Sequence, residues 1–442
     1  MIKSFDLSYQ NKTLQQFERH PYPDAPLEDS PKGNIKLIYQ NSLITAYYRR
    51  YQRVISSLED CVILDIACGT GFTTLILAEA NPKARIIAVD ISPTSLKIAE
   101  ERLNYHGFNN VEYQVLALED LNQLGLRFDY INASDILYLL PDIPLALKQL
   151  GTVLKPQGII RGNLHSYYQR LNYYRAQNLF KQMGLMEGNP EEIELGIVRE
   201  FFSALGDRVD LKLKTWGQQK PEEVKDETIL MNYLFQNDKG FTIPQLLNFL
   251  KQSDLELFSM VNWWEWQLTD LFKDPVNLPV FLAMGLADLD LGEQLTFYEL
   301  IQPNKRLLDF WCSRPYSTIK TENIKTTEDW RNIQVYLHPQ LKTESFQQEV
   351  LSSSHLFPLN LKDYFPFLPQ EIWLDRTLLT ALFTPLLEQA CSLHVLVQRW
   401  LAIRPVDPVT LSPTTEADAF MVISQAIMDQ ERLGIILLDQ QL

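Results

Sequence analysis

The apolar positions change rhythm several times along the chain, and each change predicts an element. Residues 35–57, IKLIYQNSLITAYYRRYQRVISS, carry apolar and aromatic side chains at helical spacing and predict one amphipathic helix. CVILDIA (61–67) is a β-branched apolar run ending at a glycine-rich turn, the pattern of a buried strand, and FTTLILAEANP behind it predicts a helix. ARIIAVDI (84–91) predicts a second buried strand. SPTSLKIAEERLNYHG then opens a helix, with Ser92 as N-cap and Pro93 at its first position. VEYQVLA (111–117), FDYINAS (128–134) and GIIRGNL (158–164) read as three further strands. PLALKQLGTVLKPQG between the last two is a helix that stops at Lys-Pro-Gln-Gly. Strands alternating with helices at this spacing predict an α/β fold with a Rossmann-like, doubly wound parallel sheet.

The rhythm then shifts. Residues 165–205 read as helical, QQKPEEVKDETI (218–229) as a charged loop, and about 165–240 together as a helical insertion. FTIPQLLNFLKQSDLELFSMVNWWEWQL (241–268) predicts a helix and then a late strand of the sheet carrying Trp263, Trp264 and Trp266, which read as packing residues. From about 276 the pattern is mostly helical, with one strand at NIQVYLH (332–338) and an apolar helix or helix pair at 377–402 as the core of a C-terminal domain. The expected units are an N-terminal arm and helix (1–58), a sheet domain with its insertion (59–275), and a mostly helical domain (276–442) for substrate docking, regulation or dimerisation.

Composition narrows the partners. The 442 residues are 46% hydrophobic, enough for a large core, and the formal net charge is −15 with a pI near 5.0. So acidic a surface repels phosphate backbones and anionic lipid, so neither nucleic acid nor membrane is an expected partner. Cys61, Cys68, Cys312 and Cys391 lack paired spacing, and His20, His106, His165, His338, His355 and His394 are scattered. No metal site or disulfide framework is therefore expected. The N-terminal stretch has no apolar leader pattern, and a cytoplasmic location is expected.

The candidate chemistry lies at Asp65-Ile66-Ala67-Cys68-Gly69-Thr70-Gly71, where a buried strand meets a tight turn. Gly69 and Gly71 allow backbone conformations and close approaches that other residues resist. A nicotinamide-type GxGxxG would place its third glycine at Thr74. Asp65 at the strand tip disfavours a pyrophosphate and suits the ammonium and sulfonium charges of S-adenosylmethionine (SAM). Asp90 ends the second strand, where a carboxylate can accept hydrogen bonds from both ribose hydroxyls.

With these motifs the chain resembles the class I SAM-dependent methyltransferase superfamily over roughly residues 60–165: VILDIACGTGFTT, IIAVDISPTSLKIAEERL, NVEYQVLALEDL, FDYINASDILYLLPD and LGTVLKPQGII. The resemblance implies SAM as cofactor, with Asp65, Ala67, Gly69 and Gly71 on its methionine and ribose side, Asp90 on the ribose and Ile91 on the adenine. Ala67 stands where the family's first glycine is usual. The acid usual after the third strand falls at Ala117, so Glu119 or Asp120 is the candidate for the adenine amino group. Tyr22, in the Pro-punctuated segment HPYPDAPLEDSPKGN (20–34), is either a lid over the cofactor or cover for an apolar edge.

The acceptor is expected over the ends of the fourth and fifth strands. The candidates are Asn132, Ser134, Asp135 and Tyr138 on one and Asn163, His165, Tyr167 and Tyr168 on the other; Asp135 or His165 is the candidate base. Residues 293–315 with WRNIQVYLHPQL resemble the regulatory region of bacterial protein lysine methyltransferases. The whole-chain style is similar to cyanobacterial methyltransferases, among them the asparagine methyltransferase of phycobiliproteins. These likenesses imply a protein side-chain nitrogen, of lysine or asparagine type, as acceptor and a protein substrate as partner. A small-molecule methyltransferase with a capped pocket is the alternative. A non-catalytic SAM-fold module would show a broken glycine turn or a lost ribose acid, and neither is seen. The oligomeric state stays open.

Overall fold

A computed structural model describes residues 18, 21–55, 57–188, 190–316, 330–352 and 357–439; His20 and His355 lie outside them. Five strands form the parallel part of the sheet: β1 (Val62–Ile66), β2 (Arg85–Asp90), β3 (Val111–Val115), β4 (Phe128–Ala133) and β5 (Leu154–His165). β6 (Glu256–Met260) and β7 (Leu307–Ser313) complete it in the order β3-β2-β1-β4-β5-β7-β6, with β7 antiparallel to both its neighbours. The sequential strand order reverses between β1 and β4, which opens a crevice at their C-terminal ends.

β7 lies in the stretch expected to be mostly helical, and the division expected at 275/276 falls between two strands of one sheet. A seven-residue apolar run, LLDFWCS, cannot be told from a buried helix by periodicity alone. Its place is fixed by pairing with β5 from Ile159↔Ser313 to His165↔Leu307. A largely buried ion pair reinforces it: Arg161 donates from Nε and Nη2 to the Asp309 carboxylate, at 3.1 and 2.8 Å. Arg161 also donates to Asn41. Arg161→Met would strand Asp309 without its cation, so unfolding in urea should show a loss of about 3–5 kcal/mol. An unchanged midpoint would refute that role.

The helix expected over 35–57 is two helices, Ile35–Gln40 and Leu43–Tyr51. Asn81 holds the break open: its Oδ1 accepts the Leu43 N–H (2.8 Å) and its Nδ2 donates to the Asn41 carbonyl (2.9 Å). The tryptophans are not on a strand. They follow β6 on a 3₁₀ turn, Trp263–Trp266, which sends Trp263 and Trp264 into one core with Tyr39 and Trp266 into another against Tyr298. Strict two-residue alternation would have put them on only two faces of one sheet.

Beyond β5, helices Tyr167–Gln182, Glu192–Ala204 and Asp226–Asn232 form the insertion around their own core of Phe180, Phe202, Trp216 and Tyr233. The last of them starts inside the segment expected to be a charged loop. In the C-terminal region β8 (Gln334–Leu337) pairs with Cys391–Ser392 and Ile436–Asp439, and 377–402 is a helix pair, Arg376–Glu388 and Leu393–Ile403. This region docks on the N-terminal helices. Tyr39 Oη donates to the Gly434 carbonyl (3.1 Å) and Tyr48 Oη to Glu431 Oε1 (2.9 Å).

Candidate functional site

β1 runs into a turn whose residues Ala67, Gly69 and Gly71 all have positive φ, of 56°, 53° and 80°. At Ala67 this conformation costs about 1–2 kcal/mol, which is why glycine suits the position better. The Cys68 N–H donates to the Val89 carbonyl (3.1 Å), tying the turn to β2. Gly71 then begins the helix Phe72–Ala80. The space freed by the two glycines is used by the protein itself. A Cβ at Gly69 would stand 2.2 Å from the Tyr22 carbonyl oxygen, and one at Gly71 2.6 Å from the Ala99 Cβ.

Asp65 and Asp90 flank this turn. Asp65 is 1% exposed; its carboxylate accepts from Thr74 Oγ1 (2.7 Å) and Asn132 Nδ2 (2.8 Å). Burial raises its pKa to about 6 against the pull of these two bonds. Thr74, which breaks the nicotinamide pattern, is thus a partner of Asp65. Asn132, aligned with Asp65 in the β1–β4 register, faces Asp65 and accepts from Ser134 Oγ (2.8 Å). The structure therefore places it between the acid of the turn and Ser134.

Asp90 accepts the Gly69 and Ser92 N–H groups, each at 2.9 Å; burial raises its pKa and these backbone donors oppose the rise. Ile91 beside it is 37% exposed, an apolar surface at the end of β2. Glu119 is half-buried on the 3₁₀ turn Leu118–Leu124. Asp120 is exposed and accepts from Gln123 of the same turn (2.9 Å). Glu18, which no sequence signal marked, accepts from Ser92 Oγ and from Thr94 Oγ1 (2.7 Å) at the start of the next helix.

The proline-punctuated arm lies on the glycine turn. The Tyr22 carbonyl accepts the Thr70 N–H (3.0 Å) and the Pro23 carbonyl accepts from Thr70 Oγ1 (2.7 Å). Buried Arg102 donates to the carbonyls of Thr70 (3.0 Å), Ala25 (2.7 Å) and Pro26 (2.7 Å). The Tyr22 phenol is half-buried, and desolvation raises its pKa, as do the charges of Asp135 and Glu227, against Arg306.

At the ends of β4 and β5 a continuous chain of groups appears. Asp135, exposed and with φ 58°, donates its N–H to Asn163 Oδ1 (2.9 Å) and accepts from Tyr138 Oη (3.3 Å). The Tyr138 ring stacks on His165 with centroids 3.8 Å apart. His165 is fully buried, with Nδ1 2.6 Å from Asp238 Oδ1. Asp238 Oδ2 accepts from Arg170 Nη2 (2.6 Å) and Gln177 Nε2 (3.0 Å). Burial alone would raise the Asp238 carboxyl, but His165, Arg170 and Gln177 hold it below the usual carboxylate range. Burial lowers the His165 imidazole pKa in spite of Asp238. Tyr167 and Tyr168 are 42% and 38% exposed nearby, and the exposed Arg306 accepts the Ser166 N–H at its carbonyl (2.9 Å). Asp135, Tyr138 and His165 are thus brought together. Asp238 and Arg306 were missed: each sits in a polar turn segment, QNDKG and QPNKR, that reads as solvent-facing. Among the described residues no cluster of His, Cys, Asp and Glu could hold a metal, and no helix is long and apolar enough to cross a membrane.

Residues 57–210 match a family model described as a methyltransferase domain. An uncharacterized protein, syc1184_c, of Synechococcus sp. is 27% identical over 305 residues, covering 67% of this chain and 70% of that protein. The magnesium-protoporphyrin O-methyltransferase of Rhodobacter capsulatus is 41% identical over 101 residues, 22% of this chain and 43% of that enzyme. The structure of PKMT2 from Rickettsia typhi, also solved in complex with AdoHcy, superposes with a TM-score of 0.59 at 16% identity. That superposition covers 92% of this chain and 76% of the other, a likeness of fold.

Proposed function

Since the chain is a SAM-dependent methyltransferase of the class I superfamily, we propose that it methylates a side-chain nitrogen of a protein, of lysine or asparagine type. One observation carries the reading. Asp135, Tyr167, Tyr168 and Arg306, around the ends of β4 and β5, are all exposed, which suits an acceptor presented on a macromolecular surface better than one enclosed in a pocket. The fold shared with PKMT2 over 92% of the chain, C-terminal region included, supports it.

The donor set fits SAM. Asp65 and Asp90 supply two carboxylates at adjacent strand ends, and Arg102, the buried cation at the turn, is committed to backbone carbonyls and unavailable to a pyrophosphate. Asp90 spends two of about four acceptor positions on backbone, leaving the others for ribose hydroxyls. Asp65 would face the ammonium and sulfonium, Ile91 would pack on the adenine, and half-buried Glu119 suits the adenine amino group better than exposed Asp120. Ala67, Gly69 and Gly71 shape the backbone, and Tyr22 closes over it. When bound, SAM supplies an electrophilic methyl group.

The acceptor nitrogen forms the new C–N bond in line as the C–S bond breaks and its pair stays on sulfur. The nitrogen also sheds a proton. This chain contributes alignment and a group to take that proton. An amide nitrogen, barely nucleophilic, needs the base more than an amine does.

Incubation with tritiated SAM and cell lysate should label a discrete protein band, and label confined to small molecules would sink the proposal in favour of a capped small-molecule site. SAM affinity gives a second test. Ionised Asp65 is the form that attracts the cationic ligand, and its pKa near 6 lies above the ordinary carboxylate value. Affinity should therefore hold steady above pH 7 and fall by up to about tenfold per unit as pH drops below 6. Asp65→Asn should flatten that fall; a calorimetric series that leaves it intact would remove Asp65 from the site.

A further inference from the structure

We propose that Nε2 of His165 takes the proton released by the acceptor nitrogen, and that Asp238, backed by Arg170, is the positioning residue that holds the imidazole in the required tautomer and orientation. The inference rests on the methyl acceptor lying at the ends of β4 and β5, as argued above, and chooses between the two candidate bases.

The choice follows from how each group is held. Asp135 is exposed, so water already satisfies its carboxylate, and one of its oxygens accepts the Tyr138 hydroxyl. His165 is fully buried, and its two nitrogens stand in opposite situations. Nδ1 lies 2.6 Å from Asp238 Oδ1. Because Arg170 and Gln177 occupy the other oxygen of Asp238, that carboxylate stays ionised and can only accept. The ring proton therefore belongs on Nδ1, and the lone pair on Nε2.

Nε2 is buried and has no hydrogen-bond partner among the described residues. Leaving a buried polar atom unpaired costs about 1–3 kcal/mol, and such an atom calls for a chemical reason. Taking a proton from a substrate is one. Tyr138, stacked on the ring at 3.8 Å, prevents the imidazole from turning to pair Nε2 elsewhere.

The charged groups around the ring decide its working range. Asp238 and the stacked Tyr138 approach it from the insertion and from the turn after β4. Arg170 and Arg306 approach from the helix after β5 and from the turn before β7. Burial and the two arginines outweigh Asp238, so the imidazole is neutral at pH 7 and protonates only in more acidic solution. In the transfer the N–H pair stays on the acceptor nitrogen as its proton passes to Nε2. The imidazolium so formed faces Asp238 and afterwards returns the proton to water.

The test uses the full chain with tritiated SAM and lysate protein, with SAM affinity followed by calorimetry. His165→Asn and Asp238→Asn should each lower the labelling rate about 100-fold or more while SAM binds as in the wild type. Asp238→Glu should recover part of the loss. The wild-type rate should rise with pH through one ionisation below 6.5 and then level, and His165→Asn should lose that limb. Nitrogen-15 histidine spectra should show a protonated Nδ1 and a bare Nε2 at pH 7, and mixed tautomers in Asp238→Asn. Wild-type labelling rates in His165→Asn, or a proton on Nε2 at pH 7, would overturn the assignment. If the wild type labels no protein at all, the protein-substrate reading falls, and the tautomer spectra still decide the state of His165.

Discussion

Asp90→Ala should lower SAM affinity by roughly 10²–10⁴-fold while the far-UV spectrum stays native. Two effects add. The variant removes the carboxylate assigned to the ribose hydroxyls, where each hydrogen bond to a charged group contributes about 1.5–3 kcal/mol. It also frees the Gly69 and Ser92 N–H groups, which Asp90 now holds at 2.9 Å, so the glycine turn and the following helix lose their common anchor. Asp90→Asn separates the two, since its amide oxygen can keep one backbone contact without the charge; it should fall between alanine and wild type. Calorimetric titration is the measurement, and wild-type affinity in the alanine variant would remove Asp90 from the site.

Gly69→Val should detach the arm from the glycine turn. The first added carbon would stand 2.2 Å from a backbone carbonyl, which cannot swing aside as a side chain can. The positive φ adds about 1–2 kcal/mol of strain for any side chain with a Cβ. The arm is the part able to yield, at the cost of the contacts from Thr70 to Tyr22 and Pro23 and from Arg102 to Ala25 and Pro26. Limited proteolysis should cut the variant within residues 21–34 at least tenfold faster than wild type, with SAM affinity falling alongside. Equal cleavage rates in the two proteins would show that the arm is not held this way.

The arrangement of the part proposed for the cofactor was legible because it is local. Asp65, the turn, Thr74, Asp90 and Ile91 lie within 27 residues of sequence, on two consecutive strands and the helix between them, so spacing alone puts them side by side. Its fine structure was not legible. Nothing in Ala67–Gly71 says that the missing side chains make room for Tyr22 and Ala99, which approach from elsewhere in the chain. The part proposed for the acceptor is assembled from distant segments. Asp238 reaches His165 across 73 residues, and Arg306 arrives on the turn just before a strand hidden in a helical-looking region. The single helix expected over 35–57 failed for a related reason. The apolar rhythm continues through Asn41–Ser42, and only Asn81, from another helix, breaks it.

The N-terminal helices also bear on synthesis. Tyr39 reaches Gly434 across 395 residues, and Tyr48 reaches Glu431 across 383. At translation rates of 5–20 residues per second, roughly 20–80 s separate the emergence of these partners from the ribosome. For that interval the helices that brace the sheet have their partners from residues 63–264 but not those from the C-terminal region. Tyr39 and Tyr48 therefore gain these partners only after the strands they brace have been made.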